Sequence, residues 1–86
     1  MPSYQPIDCD RHDFLEIACM HHYRLRIELN DGEELEAEAV TTRTAASKEE
    51  FFCVKAADGA REIRLDRLRA ITPLDAGAQF GRVSLQ

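Results

Sequence analysis

Two neighbouring stretches of the chain alternate apolar and polar residues with a period of two, which is typical of half-buried strands. In residues 23–29 the apolar positions begin at Tyr23 and end at Leu29. In residues 34–39 the polar positions are all glutamate. Asn30, Asp31 and Gly32 lie between the two stretches and favour a tight hairpin turn. The pattern predicts a β-hairpin whose return strand carries an unbroken outward row of acids, Glu34, Glu36 and Glu38.

Residues 11–20 instead repeat apolar side chains at helical spacing. Asp10 precedes them and is a suitable N-cap. Phe14, Ile17 and Ala18 share one face, which Leu15 and Cys19 widen, and this face is expected to meet the core. The opposite face is polar and predominantly acidic, and its members are His12, Asp13 and Glu16.

The rest of the chain predicts further short strands. Residues 41–48 lack apolar periodicity and are interpreted as a mobile loop, and the β-rich run 50–56 is expected to form a central, buried strand. Asp58 and Gly59 predict a turn into a strand at 61–65, followed by a short strand within 66–71 and a final one at 79–85. The fold class is therefore α+β and mainly β, with an N-terminal helix on a small, strongly bent antiparallel sheet or partly open barrel.

Length and composition agree with this interpretation. The chain has 86 residues, 44% hydrophobic and 31% charged, which suits one globular domain over residues 1–86. Within it, residues 1–9 are interpreted as an extended lead-in and residues 73–86 as a C-terminal segment that contains the final strand. No signal-peptide pattern and no membrane-length apolar stretch is present, so a cytoplasmic protein without membrane contact is expected. A monomer is the default expectation.

Charge divides the chain into two unequal parts. Residues 1–39 carry ten acidic and three basic residues, whereas residues 40–86 carry six acidic and eight basic ones. An acidic half repels phosphate and attracts cationic surfaces, so a protein partner with a basic surface is favoured over direct nucleic-acid binding. The alternative is that acidity serves only to keep a small domain soluble.

The sequence has little that predicts catalysis. No nucleophile with its base, glycine-rich phosphate loop or paired zinc-ligand spacing occurs, so neither an enzyme nor a cofactor is predicted. Two alternatives remain open. Cys9, Cys19 and a nearby histidine could hold zinc, and a group of arginines could bind RNA on an Sm-like module. These arginines are Arg61, Arg64, Arg67 and Arg69.

Several short motifs, in their order and spacing, resemble the Rho-binding antiterminator family, also called Rof or YaeO. The resemblance covers about residues 4–71 and rests on Tyr4, Gln5, Pro6, Ile7, Cys9, Asp10, Asp13, Leu15, Glu16, Ala18, Cys19, His21, His22, the turn 29–33 and the run 61–66. It implies an Sm-like barrel shape with an N-terminal helix. It also implies inhibition of transcription termination by binding the N-terminal RNA-binding domain of Rho, which blocks the loading of RNA.

The resemblance further implies which residues meet Rho. The contacting helix of the family corresponds to residues 10–16, where Asp10, Asp13 and Glu16 keep the acidic character. His12 stands where relatives carry a tyrosine. A second contact, the loop before the third strand, corresponds to residues 46–48 and suggests Lys48.

Overall fold

The computed structural model of the chain describes residues 9–85. Within them, six antiparallel strands form one open sheet, and a helix packs against it. The spatial order of the strands is β4-β3-β2-β1-β5-β6. The elements, in chain order, are α1 (Cys9–His21), β1 (Arg24–Leu29), β2 (Glu34–Thr44), β3 (Glu50–Ala56), β4 (Gly59–Arg64), a 3-10 turn (Leu65–Arg67), β5 (Leu68–Pro73) and β6 (Val83–Ser84). The predicted mainly-β fold class is confirmed.

The predicted first hairpin forms as expected. The β1 and β2 strands pair with Leu25 opposite Ala37 and Ile27 opposite Leu35. The turn closes where the Leu29 amide donates to the Glu33 carbonyl at 2.8 Å. Gly32 takes a positive φ of 92°, a conformation in which a residue with a side chain is strained.

The expectation of a mobile loop over residues 41–48 was wrong for its first half. Strand β2 continues to Thr44 and pairs with β3 as far as Glu50. A bulge between Ala39 and Thr41 shifts the register, so the regular alternation of side chains is interrupted in the sequence although the strand goes on. Only the tight connection 45–49 is left as a loop.

Three smaller boundaries also differ from the prediction. Helix α1 begins at Cys9, so Asp10 lies within the helix and is not its N-cap. It ends at His21 because His22 adopts a φ of 53° and the Tyr23 amide bonds to the Ala18 carbonyl at 2.9 Å. The final strand is only Val83–Ser84. The predicted lead-in, residues 1–9, lies outside the described residues apart from Cys9.

The core lies between the helix and one face of the sheet. Leu15 and Ala18 of α1 are fully buried, and Phe14, predicted to face the core, is half-buried against the ring of Phe80 at 5.0 Å between centroids. Phe52 is the largest fully buried side chain and lies on β3, which runs between β2 and β4 as predicted for a buried strand.

Over residues 9–85, no helix has the length and apolar character that crossing a membrane requires.

Candidate partner-binding site

The outer face of α1 presents acidic side chains to solvent. Asp13 is exposed, and the Glu16 side chain is 58% exposed. Residues three apart on a helix are neighbours on one face, so the two carboxylates form a single patch. Asp10 belongs to the same helix, but its side chain lies outside the described residues. The predicted acidic face is therefore present at Asp13 and Glu16.

His12 occupies a different position from its two acidic neighbours. Its side chain is only 19% exposed, and each ring nitrogen meets a carboxylate. The Nδ1 atom lies 3.1 Å from Glu16 Oε2, and the Nε2 atom lies 2.9 Å from Glu50 Oε1. Because Glu50 is the first residue of β3, His12 connects the helix to the sheet at the end of the β2–β3 connection.

The predicted loop contact, Lys48, lies in that connection. The Ala45 amide donates to the Glu49 carbonyl and the Lys48 amide to the Ala45 carbonyl, both at 2.8 Å. Lys48 is exposed and has a positive φ of 74°. The chain passes from Lys48 to Glu50 in two residues, so the structure brings the loop and the polar face of the helix to the same end of the molecule.

Two carboxylates at this end, Glu49 and Glu50, were missed by the sequence interpretation. Arg64 of β4 donates hydrogen bonds to Glu49 at 2.9 Å and to Asp66 at 2.7 Å, and the bond that it donates to Asp66 raises the pKa of Arg64. Glu50 takes the bond from His12 described above. The signal that could have identified them is the pair of consecutive acids at the start of a strand that otherwise has an apolar sequence.

Most of the arginines suspected of binding RNA have acidic neighbours. Arg64 pairs with Glu49 and Asp66. Arg61 lies 3.7 Å from Asp58, and Arg67 lies 3.8 Å from Asp31. A guanidinium already paired with a carboxylate offers less net charge to a phosphate. The arrangement therefore gives little support to an RNA-binding face built from these side chains.

The surface around the row of glutamates on β2 also carries less net negative charge than the sequence suggested. Arg24 lies opposite Glu38 and Arg26 lies opposite Glu36 on β1, and Lys55 lies opposite Glu38 on β3. Oppositely charged residues that face each other across strands partly neutralise the surface. The row is interleaved with cations, which leaves the helix end as the better candidate for an acidic contact.

The cysteine and histidine residues do not form a metal centre among the side chains that the structure describes. No group of three or more His, Cys, Asp or Glu in that part of the chain is arranged to hold an ion. Cys19 and Cys53 are free thiols, and the side chain of Cys9 lies outside the described residues. Burial, with smaller contributions from Cys53 and Glu16, raises the pKa of the Cys19 thiol from 9.0 to about 11.

We expect Cys19 to react slowly with alkylating reagents, because the thiolate is the nucleophile and the folded protein disfavours it. In a Cys9→Ser, Cys53→Ser variant, alkylation by iodoacetamide at pH 8 should be at least roughly tenfold slower in the folded protein than in urea. The unfolded chain releases the Cys19 thiol proton near pH 9 and the folded chain near pH 11. The free energy of unfolding should therefore decrease as the pH rises from 9 to 11. For the alkylation measurement at pH 8, the comparison is between the folded and the urea-unfolded rates. Equal rates in both states would contradict the prediction.

Comparison with known proteins identifies relatives over most of the chain. The family model described as "Modulator of Rho-dependent transcription termination (ROF)" matches residues 6–85. Protein rof of Escherichia coli (strain K12) is 43% identical over 75 residues, which cover 87% of this chain and 88% of the relative. Protein rof of Shigella flexneri gives the same identity and coverage.

A solved structure has the same fold. It is described as YaeO bound to magnesium from Vibrio cholerae O395, and it superposes with a TM-score of 0.79 over 86% of this chain and 96% of the other, at 20% identity. The family match extends over the helix, the β2–β3 connection and all six strands. The chain therefore belongs to the ROF family, the modulators of Rho-dependent transcription termination, with Rho as the implied partner.

Proposed function

We propose that this protein inhibits Rho-dependent termination by binding the N-terminal RNA-binding domain of Rho and preventing RNA from loading. The proposed contacts are the carboxylates of α1 at Asp10, Asp13 and Glu16, with His12 beside them and Lys48 on the β2–β3 connection. It would act in the cytoplasm as a monomer, without binding nucleic acid itself.

The observation that carries this proposal is the exposure of Asp13 and Glu16 at one end of the molecule. Both carboxylates lie on the solvent side of a helix whose other face is fixed by the buried Leu15 and Ala18. A rigid element presents charges at a defined spacing, which reduces the ordering that binding requires.

The mechanism follows from charge complementarity. A protein surface that binds single-stranded RNA is lined with cations that attract backbone phosphates. Carboxylates on a rigid helix can occupy the same cations and exclude the RNA by competition. Because the contacts between these carboxylates and the cations of Rho would be electrostatic, the affinity for Rho should fall as the salt concentration rises.

A second candidate, an RNA-binding Sm-like module, has weaker support. Three of the four arginines that suggested it lie within 4.0 Å of a carboxylate, namely Arg61, Arg64 and Arg67. A gel shift with single-stranded RNA and this protein alone separates the two candidates, since retention of RNA at moderate salt would favour the module.

The proposal is tested by titrating Rho from the same organism with the parent, Asp13→Lys and Glu16→Lys proteins at low and at high salt. At low salt each reversal should weaken binding by about tenfold to a hundredfold, because an attractive charge becomes repulsive. The parent should also lose affinity at high salt.

A matched control is Asp58→Lys, which changes the net charge by the same amount. Asp58 is exposed and lies at the β3–β4 turn, beyond the opposite end of β3 from Glu50. Seven residues of strand separate the two ends by roughly 20 Å, more than twice the screening length of about 8 Å at physiological salt, so this control is compared with the helix variants at physiological salt. If Asp58→Lys weakens binding as much as the helix variants do, a general charge effect replaces the proposed site.

A further inference from the structure

The last described segment of the chain, residues 79–85, connects α1 to the β6 edge of the sheet. Its final residues are fixed to the sheet, because β6 pairs with β5, the Leu85 amide donates to the Arg69 carbonyl at 2.8 Å, and the Leu85 side chain is buried. Arg82 adds a side-chain attachment. Its Nε and Nη2 atoms donate to the two carboxylate oxygens of Glu28 on β1, at 2.9 and 3.1 Å. This end of the segment is therefore attached to both β5 and β1.

The other end of the segment packs against the helix. The Phe80 ring lies edge-on to the ring of Phe14 in α1, with 5.0 Å between centroids, and edge-on to the ring of Tyr23 at 6.0 Å. The Gln79 backbone amide donates to the Tyr23 hydroxyl at 3.1 Å, and the Gln79 side-chain amide meets the His21 ring at 3.0 Å. Edge-to-face ring pairs at these separations are favourable beyond the apolar area that they bury. Phe80 thus joins the helix to the segment that is anchored on the sheet.

We infer that Phe80 is a positioning residue for the proposed Rho-binding face, which it serves by holding α1 through Phe14. Phe14 immediately follows Asp13 and lies two residues before Glu16, so the ring contact is made in the turn of helix that carries both carboxylates. The importance of this face rests on the proposed function, whereas the attachment of the helix by Phe80 does not.

The helix depends on such contacts for its order. It has 13 residues, a length at which a helix is marginal in water by itself, so tertiary packing must hold it. Among the helix residues whose burial the structure describes, Leu15 and Ala18 alone are fully buried. The half-buried rings of Phe14 and Phe80 extend this small packed face. Loss of the Phe80 ring should therefore loosen the helix more than the sheet, and a helix with two loosely held carboxylates pays more entropy on binding.

The first test follows amide hydrogen exchange in the parent and in Phe80→Ala by NMR. Exchange of the α1 amides should accelerate at least about fivefold more than exchange of the amides that join β2 to β3, because amides exposed by local opening respond to the lost contact. Phe80→Tyr keeps the ring, and its half-buried position leaves room for a hydroxyl, so this variant should exchange as slowly as the parent. Equal acceleration in helix and sheet would overturn the inference.

A matched control for the exchange measurement is Leu74→Ala. Leu74 is also a large apolar residue near the C-terminus, but it is 43% exposed. Its truncation should change exchange of the α1 amides by no more than about twofold, as expected of a surface substitution. If Leu74→Ala loosened the helix as much as Phe80→Ala, the effect would not belong to the ring contact, and the inference would fail.

The second test titrates Rho with the parent, Phe80→Ala and Ile63→Val. Ile63 is buried on β4, at the opposite edge of the sheet from β6, so Ile63→Val lowers global stability at a distance from the Phe80 contact. Phe80→Ala should weaken binding about threefold to tenfold, and Ile63→Val less than about twofold. Equal losses would reduce the effect to general stability and contradict the positioning role. The exchange measurements need no Rho, so a parent that fails to bind Rho would refute the proposed function while exchange still decides whether Phe80 holds the helix.

Discussion

Replacing Phe52 with alanine is expected to lower the free energy of unfolding by about 3 to 5 kcal/mol. The ring is fully buried on β3, which pairs with β2 on one side and β4 on the other. Removing it leaves a cavity in the core, which β3 cannot close without breaking its register with β2 and β4. A small domain has a total stability of only about 5 to 15 kcal/mol, so most of the folding margin would be lost.

The measurement is urea unfolding followed by circular dichroism, with Phe51→Ala as the control. Phe51 is the preceding residue, but it is half-buried and points to the other side of the sheet, where the guanidinium of Arg43 lies 4.9 Å from its ring. Loss of that contact should reduce stability by about 1 kcal/mol. If the two variants were equally unstable, Phe52 would not be the principal core side chain of β3.

Replacing Leu15 with alanine is expected to lower the free energy of unfolding by about 2 to 5 kcal/mol and to weaken binding to Rho. Leu15 is fully buried and contributes a large part of the helix face that meets the sheet. Alanine is a good helix former, so the loss would come from packing and not from helix propensity. A helix held less firmly presents Asp13 and Glu16 less rigidly, which should reduce affinity if the proposed contact is correct.

The control on the same helix is Met20→Ala, because Met20 is 73% exposed. Its truncation should change stability by less than about 0.5 kcal/mol. Urea unfolding and a Rho titration on both variants check the prediction. Retention of full affinity by Leu15→Ala, in a folded sample, would show that the docking of α1 does not matter for binding.

Residues close together in the sequence determined most of the fold. The alternation in 23–29 and 34–39, with Asp31 and Gly32 between them, predicts the β1–β2 hairpin because side-chain period and turn geometry are local properties. The helical spacing around Leu15 and Ala18 likewise predicts which face of α1 is buried. The predicted strand 50–56 has the observed bounds of β3.

The candidate site was predictable only in its acidic face. The exposure of Asp13 and Glu16 follows from helix periodicity, which is readable in a single segment. The roles of Glu49 and Glu50 were not predictable, because each depends on a partner in another element, Arg64 for the first and His12 for the second. Whether Asp10, His12, Asp13, Glu16 and Lys48 contact Rho stays a prediction.

Thus the sequence by itself determined the strands, turns and helix face, together with the family resemblance, because these depend on local spacing and on the order of motifs. Only the tertiary structure decided which charges meet. Strand β2 continues past the bulge between Ala39 and Thr41 and pairs with β3 as far as Glu50. His12 and Glu50, 38 positions apart, then come within 2.9 Å. Such contacts depend on register and packing, which no local pattern of residues specifies.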